Sequence, residues 1–189
     1  LAALLLVLVL LLLLGLALAW TPDRPVAELK TRWAPAPSQF VSIAGMDVHL
    51  RDEGPRDDAE PILLLHGTSA SLHTWEGWVA GLRESRRVIT VDMPGFGLTG
   101  PAADGDYSID AYVRFVIAVL DHLAIGRAVV GGNSLGGLVS WETAVQHPQR
   151  VARLILVNAG GYPFESEEMP IGFVIARTPV LNAFMKVTL

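Results

Sequence analysis

The most constraining feature of this sequence is a serine between glycines, at the point where a strand pattern gives way to a helix pattern. Gly132, Ser134 and Gly136 satisfy the pattern GxSxG. A sharp strand-to-helix turn leaves no room for a side chain two residues before or after its centre, and it strains the backbone of the central residue. The pattern therefore predicts a serine hydroxyl that is lifted out of a sheet and exposed.

The flanking segments have the periodicities that such a turn requires. Residues 127–131 form a short apolar run rich in β-branched side chains, and residues 135–147 repeat apolar side chains at helical spacing before Pro148. Strand, turn and helix follow one another in order. This context favours a nucleophile elbow over a glycine-rich connection that carries a solvated serine.

The segment from residue 39 to residue 161 alternates between strand and helix patterns. Residues 40–43 and 46–50 alternate with period two around Ala44-Gly45, which predicts a β-hairpin. The later strand patterns cover residues 61–67, 87–92, 127–131 and 151–157, and the helix patterns cover residues 72–85, 107–124 and 135–147, with Ser108 as N-cap. This order predicts an α/β fold with a mostly parallel sheet and helices on both faces.

Polar residues follow three of the predicted strands. His66, Asp92 and Ser134 each come where a strand pattern ends. Right-handed crossovers place these strand ends at one edge of the sheet, where sites in such folds lie. We expect the three residues to converge there. His49 lies on the early hairpin, where no catalytic partner is evident, and it is predicted to have no functional role.

Three sequence blocks resemble the signature blocks of the α/β-hydrolase superfamily. They are His66-Gly67, residues 92–97 and residues 132–137, and the likeness covers about residues 39–161. The resemblance is strongest to the branch that includes carbon-carbon bond hydrolases, esterases and lipase-like enzymes. It implies that Ser134 attacks a carbonyl and forms an acyl-enzyme from a small-molecule substrate, with neither a metal ion nor a cofactor.

The resemblance also implies two backbone donors for the oxyanion of this reaction. One is the N–H of Leu135, the residue after the nucleophile, where the N-terminus of a helix favours negative charge. The other is the N–H of Thr68, which lies two residues after the histidine of the His-Gly pair. Both donors would stabilise the charge that develops on the substrate oxygen.

The remaining residues of these blocks are interpreted as supports. His66 and Asp92 precede the nucleophile in the chain, whereas the base and acid of this fold normally follow it. They are therefore expected to brace loops, and Gly67, Gly132 and Gly136 are expected to support the loop and the elbow.

The acid and the histidine of a catalytic triad are not evident in this sequence. His147 is the only histidine after Ser134, and it lies roughly 18 Å away along a helix that rises about 1.5 Å per residue. Asn158 occupies the position where some relatives carry the acid. We expect both groups beyond Leu189 and expect residues 1–189 alone to be inactive.

The first 20 residues are apolar and uncharged. About 20 such residues suffice to cross a bilayer, so residues 1–20 are predicted to form a transmembrane anchor. A cleaved signal peptide is the alternative, because Ala17-Leu18-Ala19 has the small-x-small form of a cleavage site. The run exceeds the usual signal core of about 7–15 residues, which favours the anchor. The side of the membrane is left open.

The segments at either end of the predicted core have different compositions. Residues 21–38 contain four prolines and are predicted to form a semi-extended linker. Residues 162–189 are apolar at helical spacing after three glutamates, which predicts the start of a cap over the site, and the glutamates are interpreted as a solvated turn rather than a metal site. The net charge of −5 and the lack of a basic patch exclude a strong case for nucleic-acid binding.

These observations predict a membrane-tethered serine hydrolase that acts on a small apolar ester or related acyl substrate. A carbon-carbon bond hydrolase or an acyltransferase with the same serine is the alternative within enzymes. A non-catalytic binding protein that keeps the fold is the alternative outside them. The oligomeric state is left open.

Overall fold

The computed structural model describes residues 2–20, 24–163 and 178. Its described helices are α1 (Ala2–Ala19), α2 (Val26–Trp33), α3 (Glu76–Leu82), α4 (Ile109–His122) and α5 (Leu135–Gln146), and a 3₁₀ turn at Leu72–Trp75 precedes α3. The described strands are β1 (Gln39–Ile43), β2 (Met46–Glu53), β3 (Ile62–Leu65), β4 (Val88–Val91), β5 (Ala128–Asn133) and β6 (Val151–Val157).

The strands form one sheet in the order β1-β2-β4-β3-β5-β6. β1 and β2 make the antiparallel hairpin that the sequence predicts, and β2 then pairs antiparallel with β4. β4, β3, β5 and β6 are parallel, with Leu65 level with both Val91 and Gly132. The prediction of a mostly parallel α/β sheet is therefore confirmed, and the carboxyl ends of β3, β4 and β5 meet at one edge.

Alternate residues of the central strand β3 pack into different halves of the core. Leu63 and Leu65 lie in a cluster with Val116 of α4 and Val139 of α5. The intervening Leu64 belongs to a second cluster that α3 and its preceding turn complete. Because side chains alternate across a strand, helices cover both faces of the sheet, as predicted.

The helix α4 begins where its N-cap predicts. The Ser108 side chain accepts a hydrogen bond from Ala111 N at 3.2 Å and satisfies one of the backbone donors that a helix N-terminus leaves open. The inward face of α4 contributes the buried Tyr112, Val116 and Leu120 at spacings of four residues. This stripe fixes α4 against the sheet.

The prediction of a semi-extended linker over residues 21–38 is wrong in its central part, because Val26–Trp33 is the helix α2. The four prolines lie outside this stretch, and Pro25 occupies the N-cap, where a missing N–H costs nothing. The intervening residues are mostly good helix formers. The prolines therefore bound a short helix instead of extending the whole segment.

The transmembrane anchor predicted for residues 1–20 is not supported. In the part of the chain that the structure describes, no helix combines the length and the apolarity needed to cross a membrane. The cap predicted for residues 162–189 lies outside the described residues except for residues 162, 163 and 178.

Candidate active site

Ser134 forms the turn between β5 and α5. Its φ of 51° and ψ of −113° place a non-glycine residue in a region that L-residues rarely adopt. Neighbouring backbone holds the turn on both sides, since Ser134 N donates to Val157 O at 3.3 Å and Ser134 O accepts from Gly160 N at 2.8 Å. The structure thus builds the strained strand-to-helix turn at the predicted residue.

Two glycines permit the chain to pass this closely to itself. A Cβ atom on Gly132 would overlap the backbone of Gly136, and one on Gly136 would overlap the carbonyl oxygens of Leu65 and His66. These obstacles are backbone atoms of a sheet and a helix, so they cannot turn aside as a flexible side chain could. Both positions therefore require glycine for reasons of space.

The loop after β3 lies against the turn. A Cβ atom on Gly67 would stand 3.2 Å from Ser134 Cβ and 2.9 Å from Asn133 Oδ1. Thr68, the next residue, is exposed, and its N–H has no acceptor among the described residues. Leu135 opens α5, where the first N–H groups have no partner within the helix. Two open backbone donors thus occur in the segments that border Ser134.

His66 is fully buried, and both of its ring nitrogens are occupied. Nδ1 donates to Gly67 O at 2.8 Å, and Nε2 accepts from Met93 N at 3.0 Å. Burial lowers the pKa of His66 below its usual value of 6.5, against the opposing effects of Gly67 O and the Asp92 carboxylate. The ring is therefore neutral at physiological pH, and it joins the loops after β3 and β4.

Asp92 is also fully buried, and it accepts hydrogen bonds from three directions. Oδ1 accepts from Leu72 N at 2.7 Å, while Oδ2 accepts from Leu98 N at 2.8 Å and from His49 Nδ1 at 2.7 Å. Burial raises the pKa of Asp92, but these hydrogen bonds outweigh it and bring the pKa below 3.8. A charged carboxylate therefore holds together the segments around the edge.

The hydrogen bond between His49 and Asp92 was not predicted, because the sequence was examined only for a catalytic partner of His49. His49 is fully buried, and its Nε2 lies 2.9 Å from Ser38 Oγ. β2 runs antiparallel beside β4, so that Asp92 N donates to His49 O at 3.0 Å. The hairpin is visible in the sequence, but its pairing with β4 is not, and that pairing creates this contact.

The hydroxyl of Ser134 has no hydrogen-bond partner among the described residues. All five histidines lie in the described part of the chain, and none of them bonds to Ser134. His147 caps the far end of α5, and Asn158 follows β6. No group of three or more His, Cys, Asp or Glu side chains among residues 2–20, 24–163 and 178 could hold a metal ion.

We expect Gly136→Ala to destabilise the protein, because its new Cβ would overlap two backbone carbonyls. Overpacking of this kind costs about 1–3 kcal/mol or more. Gly81→Ala in α3 is the control, since its Cβ would meet nothing within 4 Å and alanine favours a helix by about 1 kcal/mol. Urea unfolding measures both variants. Equal midpoints for Gly136→Ala and the wild type would contradict the steric argument.

We expect Asp92→Asn to be less stable than the wild type at neutral pH, and we expect this difference in the free energy of unfolding to shrink as the pH falls. Because the pKa of Asp92 is lower in the folded state, its ionisation stabilises the fold above the unfolded pKa, and this contribution is lost as the pH falls through the folded pKa. The difference in free energy of unfolding should be constant above about pH 5 and shrink below about pH 4. Denaturant unfolding of both proteins across this range tests the expectation. A gap that stays constant would show that Asp92 is not held ionised by its neighbours.

Comparison with known proteins supports the assignment that the geometry suggests. A family model described as the alpha/beta hydrolase fold matches residues 60–177. The 2-hydroxymuconate semialdehyde hydrolase of a Pseudomonas species is 36% identical over 138 residues, which are 71% of this chain and 48% of that protein. Haloalkane dehalogenase 2 of Mycobacterium bovis is 29% identical over 172 residues, or 90% of this chain and 57% of that protein.

A solved structure gives the same result. A variant of the meta-cleavage product hydrolase from Pseudomonas fluorescens, complexed with acetates, superimposes with a TM-score of 0.62 and 32% identity, and covers 67% of this chain and 47% of that one. The chain thus spans about half the length of these two hydrolases from Pseudomonas. By its sheet order, its strained turn at Ser134 and the match over residues 60–177, the chain belongs to the α/β-hydrolase fold family.

Proposed function

We propose that this protein is a serine hydrolase with Ser134 as its covalent nucleophile. The observation that carries the proposal is the strained turn, which presents a half-buried serine at the sheet edge without a hydrogen-bond partner among the described residues. A hydrolase is the function that the family supports. Strain at a functional residue is costly, and a fold retains it where the exposed group performs chemistry.

The proposed reaction is acyl transfer in two steps. Ser134 Oγ attacks the carbonyl carbon of the substrate while a base takes the hydroxyl proton, and the leaving group then departs with a proton. Water attacks the resulting acyl-enzyme in the same way and releases the acid. In both steps the oxyanion would accept hydrogen bonds from the N–H groups of Thr68 and Leu135. The proposal assigns the base and its carboxylate partner to groups outside the described residues.

The residue at the turn separates this proposal from other chemistry in the family. Haloalkane dehalogenases and epoxide hydrolases form an ester to an enzyme carboxylate, and both classes occur among the relatives of this chain. A serine at this position cannot form that ester and instead favours acyl substrates. We therefore propose a small apolar ester, or a related acyl compound, as the substrate.

A second candidate is carbon-carbon bond cleavage by the same serine. The observation that favours it is the 36% identity to the 2-hydroxymuconate semialdehyde hydrolase. This reaction begins with the same attack on a carbonyl carbon, but a stabilised carbanion leaves in place of an alcohol. A binding protein that keeps the fold without catalysis is the remaining alternative, and covalent labelling separates it from both enzymes.

We expect a fluorophosphonate probe to label the full-length protein at Ser134 and Ser134→Ala to abolish both labelling and turnover. Ser85→Ala, at an exposed position after α3, is the control and should behave as the wild type. Turnover of a short-chain p-nitrophenyl ester and of 2-hydroxymuconate semialdehyde then separates the two substrate classes. Labelling that persists at the same rate in Ser134→Ala would refute the assignment of the nucleophile.

We also propose that residues 1–19 attach the protein to a membrane. The leucine and valine side chains between residues 4 and 14 are at least 48% exposed, and residues 1–20 carry no charge. A contiguous apolar surface of this kind is typical of a membrane or protein contact.

We expect the full-length protein to remain in membranes after carbonate extraction, and the double variant Leu8→Arg/Leu12→Arg to be released. Each arginine would place a charge within the apolar surface through which the protein is proposed to attach. The matched control is Leu8→Ala/Leu12→Ala, which shortens the same side chains without adding charge. Recovery of wild-type protein in the soluble fraction, or of a mature chain that begins at Trp20, would contradict the retained attachment.

A further inference from the structure

A chain of hydrogen-bonded polar side chains runs from the half-buried Ser38, just before β1, to the buried Asp92, just after β4. Ser38 Oγ lies 2.9 Å from His49 Nε2, and His49 Nδ1 lies 2.7 Å from Asp92 Oδ2. The side chains of His49 and Asp92 are completely inaccessible to solvent, and the ring of Phe40 stacks on that of His49 with centroids 4.9 Å apart. None of these four residues contacts Ser134 through a hydrogen bond.

The carboxylate fixes one proton of this chain. Asp92 is ionised and can only accept, so Nδ1 of His49 carries a proton. Nε2 lies 2.9 Å from the hydroxyl oxygen of Ser38, which also accepts from Arg51 Nε at 2.9 Å. The atoms have the order of a catalytic triad. However, Ser38 Oγ already accepts a hydrogen bond from Arg51, so we do not assign it the role of a nucleophile. The contact that matters is the one at the other end of the chain, where His49 donates to the Asp92 carboxylate.

Asp92 in turn holds the loop that carries Thr68. Its Oδ1 accepts from Leu72 N, the residue at which the loop after β3 ends. At the other end of that loop, the ring of His66 accepts from Met93 N and donates to Gly67 O. Both ends of the loop are thus bonded to the segment that starts with Asp92. The Asp92 carboxylate holds one end, and Met93 N bonds to the His66 ring at the other.

A carboxylate can hold Leu72 N only while its plane is fixed. The plane of Asp92 is set by the donors on Oδ2, which are Leu98 N at 2.8 Å and His49 Nδ1 at 2.7 Å. The backbone donor Leu98 is itself part of the turn that follows β4, whereas His49 projects from the rigid strand β2. His49 is therefore the donor that a strand of the sheet supplies, and its backbone N–H also donates to Thr99 Oγ1 at 3.1 Å in the loop after β4.

We propose that His49 is a positioning residue for the oxyanion loop, acting through Asp92 on the segment that ends at Leu72 and carries Thr68. The proposal rests on the proposed function, because it assigns a catalytic donor to Thr68 N. A misplaced donor would stabilise the transition state less and leave the affinity for the bound substrate unchanged. Removing an oxyanion donor outright lowers kcat by about 10²–10³-fold, so a displaced one is expected to cost about tenfold.

Two amides that mimic different nitrogens of the ring provide the test. The side-chain nitrogen of His49→Asn can occupy the place of Nδ1 and still donate to Asp92, whereas the amide of His49→Gln reaches the place of Nε2 and leaves Oδ2 with Leu98 N as its one remaining donor. In the full-length protein, His49→Asn and Ser38→Ala should keep kcat within about twofold of the wild type. His49→Gln should lower kcat about tenfold with KM unchanged, and should weaken a boronic-acid inhibitor by the same factor.

Hydrogen exchange at the Leu72 amide gives a readout that does not need catalysis. This amide should be protected in the wild type and in His49→Asn, and should exchange faster in His49→Gln. An unprotected Leu72 amide in the wild type overturns the proposal even if no variant folds. Equal losses of kcat in His49→Asn and His49→Gln also overturn it. If the exchange pattern holds in a protein without turnover that depends on Ser134, the proposed function fails while the positioning by His49 stands.

Discussion

The turn at Ser134 is the constraint around which the rest of the site is built. A residue with a φ of 51° and a ψ of −113° does not keep this conformation by itself. Here the main chain of β6 and the residues after it bond to both sides of the turn, and the backbone of α5 passes close enough to β3 and β5 to exclude any side chain at Gly132 and Gly136. The parallel sheet therefore supplies the free energy that holds the strain, and a half-buried serine at the sheet edge is its consequence.

Electrostatics at the same edge follow from a single buried carboxylate. Asp92 is withdrawn from water, and its charge is stabilised by hydrogen bonds from Leu72 N, Leu98 N and His49 rather than by solvent. The neighbouring His66 stays neutral, because burial disfavours its cation more than the Asp92 charge favours it. Asp92 is thus kept charged and His66 uncharged. The carboxylate can accept several hydrogen bonds, and the neutral ring can donate through one nitrogen and accept through the other.

Much of this arrangement follows from local sequence. The apolar runs of β3 to β6 and the helical periodicity of α4 and α5 give the order of the elements, and Ser108 marks the start of α4 by a local capping contact. The glycines around Ser134 predict the turn because the pattern lies within five residues of sequence, even though the atoms that exclude a side chain at Gly136 belong to the distant Leu65 and His66. These patterns are local in the chain, so a single sequence contains enough information to recognise them.

The features that were not predicted depend on contacts between residues far apart in the chain, or on whether prolines extend a segment or bound a helix within it. The pair of His49 and Asp92 arises from the pairing of β2 with β4, across 43 residues of sequence. Helix α2 was missed because its prolines were interpreted as extending the segment, whereas they only bound it. For residues 1–20, apolarity predicted a transmembrane anchor, whereas none of the described helices is long and apolar enough to cross a membrane. Non-local pairing and exact element length are the properties that residue patterns determine least.

In the proposed mechanism, a serine at a strained turn acts with two backbone donors from separate segments. The most direct measurement is a crystal structure of the full-length protein after reaction with a fluorophosphonate. The proposed mechanism predicts that phosphorus is bonded to Ser134 Oγ and that one phosphonyl oxygen lies within about 2.7–3.1 Å of both Thr68 N and Leu135 N. Phosphorus bonded to another residue, or a phosphonyl oxygen on Ser134 that faces solvent away from both amides, would contradict it.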